Sequence, residues 1–62
     1  MQKDKIINLR HQKGYSVYKL SKISGIPKTT LHEIEKGTNN NPRIKTVIAL
    51  AKTLDVDINE II

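Results

Sequence analysis

Four polar side chains near the middle of the chain, Lys28, Thr29, His32 and Glu33, bring hydrogen-bond donors and acceptors close together in the sequence. Side chains three or four positions apart lie on the same face of a helix, so these residues would share one face, which we name the polar arc. The polar arc would present an ammonium, a hydroxyl, an imidazole and a carboxylate. Such groups can form hydrogen bonds with the edges of base pairs in the major groove of DNA.

The rest of the chain has no pattern that suggests catalysis or metal binding. It contains no cysteine, which excludes disulfides and thiolate zinc sites, and neither His11 nor His32 lies near paired carboxylates. There is no nucleophile with a neighbouring base, no glycine-rich phosphate loop and no carboxylate dyad. We therefore predict a protein that is not an enzyme and uses no metal and no cofactor.

The polar arc requires a helix whose opposite face is apolar. Leu31 and Ile34 can form that face because they lie three positions apart. Pro27 suits the first turn of a helix, since its φ is fixed and it has no N–H, and Gly37 can adopt the left-handed conformation that ends one. These residues predict a short third helix between Pro27 and Gly37.

A second short helix is predicted just before the third. Ser16 can cap its N-terminus, an apolar or small stripe recurs at positions 17, 20, 21 and 24, and Gly25 breaks the pattern. Two helices joined by a tight glycine turn form a helix-turn-helix, in which the second helix enters the major groove. We predict this motif at residues 16–35.

Helices are also predicted on both sides of the motif. The first covers residues 3–13. The fourth has a broad apolar face formed by Ile44, Val47, Ile48, Leu50, Ala51 and Leu54. A fifth, with a capping box at Asp57 and Glu60, ends at Ile62. No strand pattern is present, so the expected fold is all-α.

The run from Ser16 to Gly37 resembles the Cro/CI-type family of helix-turn-helix domains, also called lambda-repressor-like or Xre. The residues of this run that carry the likeness are Leu20, Gly25, Ile26, Thr30, Leu31, Ile34, Glu35 and Gly37. The likeness continues at Leu9 and Arg10 and at several positions within residues 41–58. The resemblance implies a compact five-helix lambda-repressor-like DNA-binding domain that covers residues 1–62.

The resemblance also implies which members of the polar arc read bases. Lys28, Thr29 and Glu33 lie where the family has its main base readers. Lys28 would suit the O6 and N7 atoms of guanine, Thr29 a thymine methyl group, and Glu33 the amino group of cytosine. Glu33 could instead be a solvated charge that pairs with Lys36 or Thr29.

Phosphate contacts are predicted at two clamps beside the polar arc, because helix N-termini and basic or amide side chains hold phosphates. The first clamp is the start of helix two, with Ser16, the N–H groups of Val17 and Tyr18, and Lys19. The second clamp follows helix three and consists of Lys36, Thr38, Asn39, Asn40 and Arg43. The asparagine run could instead be only a flexible loop.

One charged residue is predicted to have a structural role. Arg10 lies on the apolar side of helix one, where a charge is costly unless it finds a partner. The family resemblance suggests that this partner is Glu35, at the end of helix three. Alternatively, Arg10 lies at the surface and only its aliphatic stem packs on apolar residues.

The charge distribution favours a polyanionic partner. Eleven Lys and Arg residues against three acidic residues give positions 1–54 a net charge of +8, whereas positions 55–62 carry −3. A basic balance alone also fits a protein that is merely soluble. No apolar run approaches the roughly 20 residues that a membrane span needs, and no signal peptide precedes helix one. We therefore expect a cytoplasmic location.

These features predict sequence-specific binding of double-stranded DNA by a transcriptional regulator, and within that class a repressor. A DNA-binding antitoxin or a restriction-modification controller would have the same domain. A protein-interaction module on this fold is a further alternative, which the positive charge and the polar third helix disfavour.

A single short helix specifies only a few base pairs, so we expect two copies on a partly palindromic operator. Ile58, Ile61 and Ile62 form a candidate surface for this homodimer. Two alternatives are that these isoleucines close the core, or that a longer parent protein dimerises through another region.

Overall fold

The computed structural model describes residues 1–62 and contains four α-helices and no strand. The helices are Lys3–Gln12 (α1), Val17–Ser24 (α2), Lys28–Lys36 (α3) and Ile44–Leu54 (α4), followed by a 3-10 helix at Ile58–Glu60. The all-α prediction is confirmed. The number of α-helices is four rather than the predicted five, because the last segment forms a single 3-10 turn before Ile61 enters the core.

Local signals set the ends of the two helices of the motif. The Ser16 hydroxyl accepts a hydrogen bond from the Lys19 amide at 3.0 Å, and Gly25 ends α2 with a φ of 78°. Pro27 is extended just before α3, and Gly37 ends that helix with a φ of 83°. The helix-turn-helix predicted at residues 16–35 is therefore present, because each boundary residue has the conformation that its type favours.

Two serines brace the turn between α2 and α3. The Ser21 hydroxyl donates to the Ile26 carbonyl at 2.6 Å, and the Ser24 hydroxyl donates to the Leu20 carbonyl at 2.7 Å. Ser24 also accepts from the Ile26 amide at 3.1 Å. The two bonds to Ile26 satisfy backbone groups that the tight turn leaves without helical partners, and so they fix the direction in which α3 leaves α2. The bond to the Leu20 carbonyl lies within the last turn of α2.

The C-terminal segment follows the predicted capping chemistry. Asp55 ends α4 and is the only residue other than glycine with a positive φ, at 60°. Asp57 accepts from the Asn59 amide at 2.8 Å, and its own amide donates to Glu60 at 3.1 Å. The capping box is therefore formed, although on a 3-10 helix.

Ten buried apolar residues form one core to which every α-helix contributes. They are Ile6, Leu20, Ile26, Leu31, Ile34, Val47, Leu50, Ala51, Leu54 and Ile61. The core holds the inner face of α3 through Leu31 and Ile34, which are no more than 1% exposed. This packing turns the opposite face of α3 outward.

Two predictions about apolar residues are wrong. Ile44 and Ile48 were predicted to belong to one broad apolar face of helix four, but their exposed fractions are 66% and 47%, so they lie outside the part of α4 that packs in the core. Because α4 packs on α2 and the 3-10 helix, only a narrow stripe of its surface meets the core. Ile61 was expected in a self-association surface, but it is fully buried and cannot contact a second copy in this fold. Ile62 is 57% exposed and Ile58 is half-buried.

No helix in the structure combines the length and the apolar character needed to cross a membrane.

Candidate nucleic-acid interface

The polar arc is present on the outer face of α3. Lys28, Thr29, His32 and Glu33 are all exposed, whereas Leu31 and Ile34 lie beneath them in the core. Glu33 forms no ion pair with Lys36, since the two ion pairs of the structure involve other residues. No hydrogen bond joins the side chains of Glu33 and Thr29. None of the four side chains of the polar arc therefore has an ion-pair or hydrogen-bond partner within the protein.

An ion pair anchors the C-terminal end of α3. Arg10 of α1 donates from Nε and Nη2 to the two carboxylate oxygens of Glu35, at 2.7 Å and 2.9 Å. A third bond runs from Arg10 Nη1 to the Tyr15 carbonyl at 2.8 Å. Glu35 is the partner that the family resemblance suggested for Arg10. The two side chains are only 11% and 12% exposed, so solvent screens their attraction little. The ion pair joins α1 to α3 and fixes the orientation of the polar arc.

The first clamp has the geometry of a helix N-terminus. Ser16, Tyr18 and Lys19 are exposed, and the N–H groups of Val17 and Tyr18 open α2 with no acceptor further back in the helix. The Ser16 hydroxyl oxygen accepts the hydrogen bond from the Lys19 amide, but the hydroxyl hydrogen of Ser16 has no acceptor in the structure. The start of α2 can therefore donate several hydrogen bonds to an anion.

The second clamp is divided by the path of the loop after α3. Asn39 and Arg43 line one hollow of about 300 Å³ with Pro27 and Thr30, which lie at the start of α3. Asn40 lines a different hollow with Met1, and its carbonyl accepts from the terminal amine at 3.4 Å. The structure thus brings Asn39 and Arg43 beside α3 and places Asn40 away from them.

Hydrogen bonds within the loop change what its side chains can offer. The Thr38 hydroxyl donates to the Glu33 carbonyl at 3.2 Å, so its hydrogen is used inside the protein. The Asn39 side-chain oxygen accepts from the Asn41 amide at 3.3 Å, which leaves the Asn39 amino group free to donate. These bonds give the loop a defined shape, and Asn39 has a better donor for a phosphate than Thr38.

Two lysines near the interface were not considered from the sequence. The Lys3 side chain lies against Gly37, with its Nζ 3.4 Å from where a Cβ on Gly37 would lie. Lys22 is exposed on α2 and lies beside Tyr18. Their positions depend on how α1, α2 and α3 pack, which the spacing of residues along the chain does not reveal.

The cations around α3 have no acidic partners. The two ion pairs of the structure are Arg10 with Glu35 and Lys5 with Glu60. Lys28, Lys36 and Arg43 are exposed and take part in neither. The interface therefore carries uncompensated positive charge around an outward polar helix.

This arrangement defines a helix-turn-helix protein. The chain belongs to the helix-turn-helix family, whose model matches residues 6–61, and the predicted resemblance to the Cro/CI-type (Xre) group is confirmed. 

Two relatives from Bacillus subtilis (strain 168) carry the comparison further. The chain is 38% identical to the HTH-type transcriptional regulator SlrR over 58 residues, which cover 92% of this chain and 38% of SlrR. It is 31% identical to the HTH-type transcriptional regulator SinR over 58 residues, which cover 94% of this chain and 52% of SinR. The chain thus spans about half or less of the length of these curated relatives.

Two solved structures of SinR share the fold. The first is a complex of SinR with SinI, with a TM-score of 0.93 and 31% identity, in which the match covers 100% of this chain and 60% of the other. The second is a crystal structure of SinR in complex with DNA, with a TM-score of 0.89 and 32% identity, covering 95% of this chain and 94% of the other.

Proposed function

We propose that residues 1–62 form one domain that binds double-stranded DNA in a sequence-specific manner and serves a transcriptional regulator, acting as a repressor. The observation that carries the proposal is the free polar arc of α3, held outward by Leu31 and Ile34 and surrounded by unpaired cations. The regulator relatives and the similar structure of SinR with DNA support it. Such a protein would act in the bacterial cytoplasm and would have no catalytic activity.

In this proposal, α3 lies in the major groove and its polar arc contacts base edges. Lys28 donates to guanine, Thr29 contacts a thymine methyl group, and Glu33 accepts from the amino group of cytosine. His32 lies between them on the same exposed face. Because the carboxylate of Glu33 has no partner in the protein, a cytosine amino group would satisfy it in an otherwise repulsive surrounding of phosphates.

Phosphates are proposed to bind on both sides of α3. On one side the donors are Ser16, the amides of Val17 and Tyr18, and Lys19. On the other side they are Lys36, Asn39 and Arg43, with Thr38 and Asn40 in weaker positions because of the loop geometry. Neutralised phosphates release condensed counterions, so these contacts provide affinity without sequence preference.

The first test is a titration of the protein with a duplex selected from random sequences, repeated at several salt concentrations. We expect the logarithm of affinity to fall with the logarithm of salt by about 0.9 for each phosphate neutralised. Six contacts would lower affinity on the order of a thousandfold between 50 and 200 mM salt. Affinity that stays constant over this range would contradict the proposed electrostatic contacts.

Substitutions separate the contribution of phosphate contacts to affinity from the contribution of base contacts. Lys36→Ala should weaken binding to all duplexes alike and reduce the salt slope by about 1, because Lys36 is proposed to contact phosphate. Lys28→Ala should instead cost about 1 to 3 kcal/mol at one base pair of the selected duplex. If Lys28→Ala and Thr29→Ala both leave the sequence preference intact, then α3 is not the reading helix.

We further propose that two copies bind a partly palindromic operator. Ile44, Ile48 and Ile62 form an exposed apolar patch that replaces the surface predicted from Ile58, Ile61 and Ile62. Ile44 and Ile62 line the same hollow, so the patch joins α4 to the end of the chain. A patch of three side chains is small compared with the roughly 800 Å² per partner of a stable interface, so the dimer is expected to form on DNA.

Sedimentation equilibrium on a palindromic duplex tests the dimer. Two copies per duplex are expected, with half-sites about 34 to 36 Å apart. In an Ile44→Ser variant, the second copy should bind more weakly to a duplex that already holds the first. Lys52 is an exposed residue of the same helix, and Lys52→Ser serves as the control. One copy per duplex at saturating protein would exclude the dimer.

A further inference from the structure

Tyr18 connects the two helices of the motif through its ring. It is the second residue of α2, and its side chain is 58% exposed on the interface side of the molecule. The Lys28 ammonium, at the first residue of α3, lies 5.8 Å from the centre of this ring. The Lys22 ammonium, one turn further along α2, lies 5.3 Å from the same centre.

The contact between Tyr18 and Lys28 differs from that between Tyr18 and Lys22. Residues 18 and 22 are four apart on one helix, so any long side chain at 22 would lie near the ring. Lys28 comes from a different helix and reaches the ring across the glycine turn. Its ammonium has no carboxylate partner and donates no hydrogen bond within the protein, so the ring is the one group that restrains it.

Restraint of this kind matters for a lysine that reads a base. A lysine is a flexible point charge, and on binding it loses the rotamer freedom that it had in free solution. A cation held over an aromatic face is attracted to the ring quadrupole, which limits the directions that the side chain samples. A lysine already aimed along α3 would distinguish one base pair from another better than a freely rotating one.

We propose that Tyr18 is a positioning residue that holds the Lys28 ammonium at the start of α3 and thereby strengthens the base preference at the position that Lys28 reads. This proposal rests on the proposed DNA-binding function. It assigns the effect to the ring of Tyr18 and not to its hydroxyl, which has no partner in the protein. A phosphate contact through the hydroxyl is the competing explanation, and Tyr18→Phe separates the two.

The first measurement requires no DNA. In proton NMR spectra of the free protein, the ε-methylene protons of Lys28 should lie upfield of those of Lys36, because the Tyr18 ring current shields them. Tyr18→Phe should keep this shift, and Tyr18→Leu should abolish it. Equal shifts for Lys28 and Lys36 in the unsubstituted protein would overturn the proposal whatever the protein binds.

The second measurement compares dissociation constants for the selected duplex and its single base-pair variants at one salt concentration. Tyr18→Leu should lower discrimination at the base pair read by Lys28 by about two- to fivefold, the magnitude of an exposed cation–π contact. It should leave the salt slope and the discrimination at other base pairs unchanged. Tyr18→Phe should keep the discrimination of the unsubstituted protein at the base pair read by Lys28.

Two outcomes would contradict this role. If Tyr18→Phe and Tyr18→Leu weaken all duplexes equally, the hydroxyl contacts phosphate and the ring has no positioning role. If Tyr18→Leu changes no preference while Lys28→Ala does, the protein reads DNA without help from Tyr18. If the unsubstituted protein prefers no duplex, the proposed DNA-binding function itself fails. The ring-current experiment uses no DNA, so it still tests the contact between Tyr18 and Lys28 in that case.

Discussion

An Arg10→Met variant is expected to lose about 3 to 5 kcal/mol of unfolding free energy, which is the usual cost of removing one partner from a buried ion pair. The substitution would leave the Glu35 carboxylate, 12% exposed, without the two hydrogen bonds that satisfy it. It would also remove the donor to the Tyr15 carbonyl. Urea unfolding followed by circular dichroism would measure the loss.

The expected loss is large for a chain of 62 residues. Stabilities of about 0.05 to 0.15 kcal/mol per residue imply a total of roughly 3 to 9 kcal/mol. We therefore expect Arg10→Met to populate the unfolded state at room temperature. The same variant should lose DNA affinity through unfolding, so its binding is interpretable only after correction for the folded fraction.

The Lys5 and Glu60 pair offers a matched control. Its atoms lie 3.9 Å apart, and its side chains are 46% and 47% exposed. Exposed pairs contribute about 0 to 1 kcal/mol, so Lys5→Met should change stability little. A double variant, Arg10→Met with Glu35→Leu, should recover part of the loss because no unpaired carboxylate remains. An Arg10→Met protein as stable as the unsubstituted one would show that the ion pair contributes nothing.

Leu50→Ala is expected to destabilise the protein by about 2 to 5 kcal/mol, because it removes a fully buried side chain and leaves a cavity. Leu50 lies on the inner stripe of α4 with no exposed surface. In so small a core few neighbouring side chains can move to fill the space. Denaturant unfolding would measure this loss as a lower midpoint with little change in slope.

Ile44→Ala on the same helix provides the comparison. Ile44 is 66% exposed, so its truncation should change the stability of the monomer by no more than about 0.5 kcal/mol. Equal losses from Leu50→Ala and Ile44→Ala would mean that α4 packs through a broader face than the structure shows. Because Ile44 belongs to the apolar patch, its effect should appear instead in the binding of the second copy to DNA.

The helix boundaries were predictable because they depend on residues close together in the chain. Ser16 caps α2 with a bond to an amide three residues ahead, and Gly25 and Gly37 adopt the left-handed conformations that end α2 and α3. The capping box at Asp57 forms for the same reason. The length of the last helix was not predictable, since it depends on where the core draws Ile61 inward.

The polar arc was also accessible from spacing, because the inward position of Leu31 and Ile34 dictates which residues of α3 face outward. The pairing of Arg10 with Glu35 was less so. The cost of burying a charge indicates that Arg10 needs a partner. Glu35 lies 25 residues away in the chain, so only the family resemblance identified it as that partner.

Residue types and their spacing were sufficient to predict the all-α class, the helix-turn-helix, the outward face of α3 and the basic character of the interface. Each of these follows from local conformation, helical periodicity or the count of charges. The packing of the helices places Ile44 and Ile48 at the surface and Ile61 in the core. It also engages the Thr38 hydroxyl within the loop and brings Tyr18 close to two lysines. Burial and contacts between side chains of different helices depend on which helix surfaces pack together. The apolar or polar character of one residue does not specify which residue of another helix it will contact.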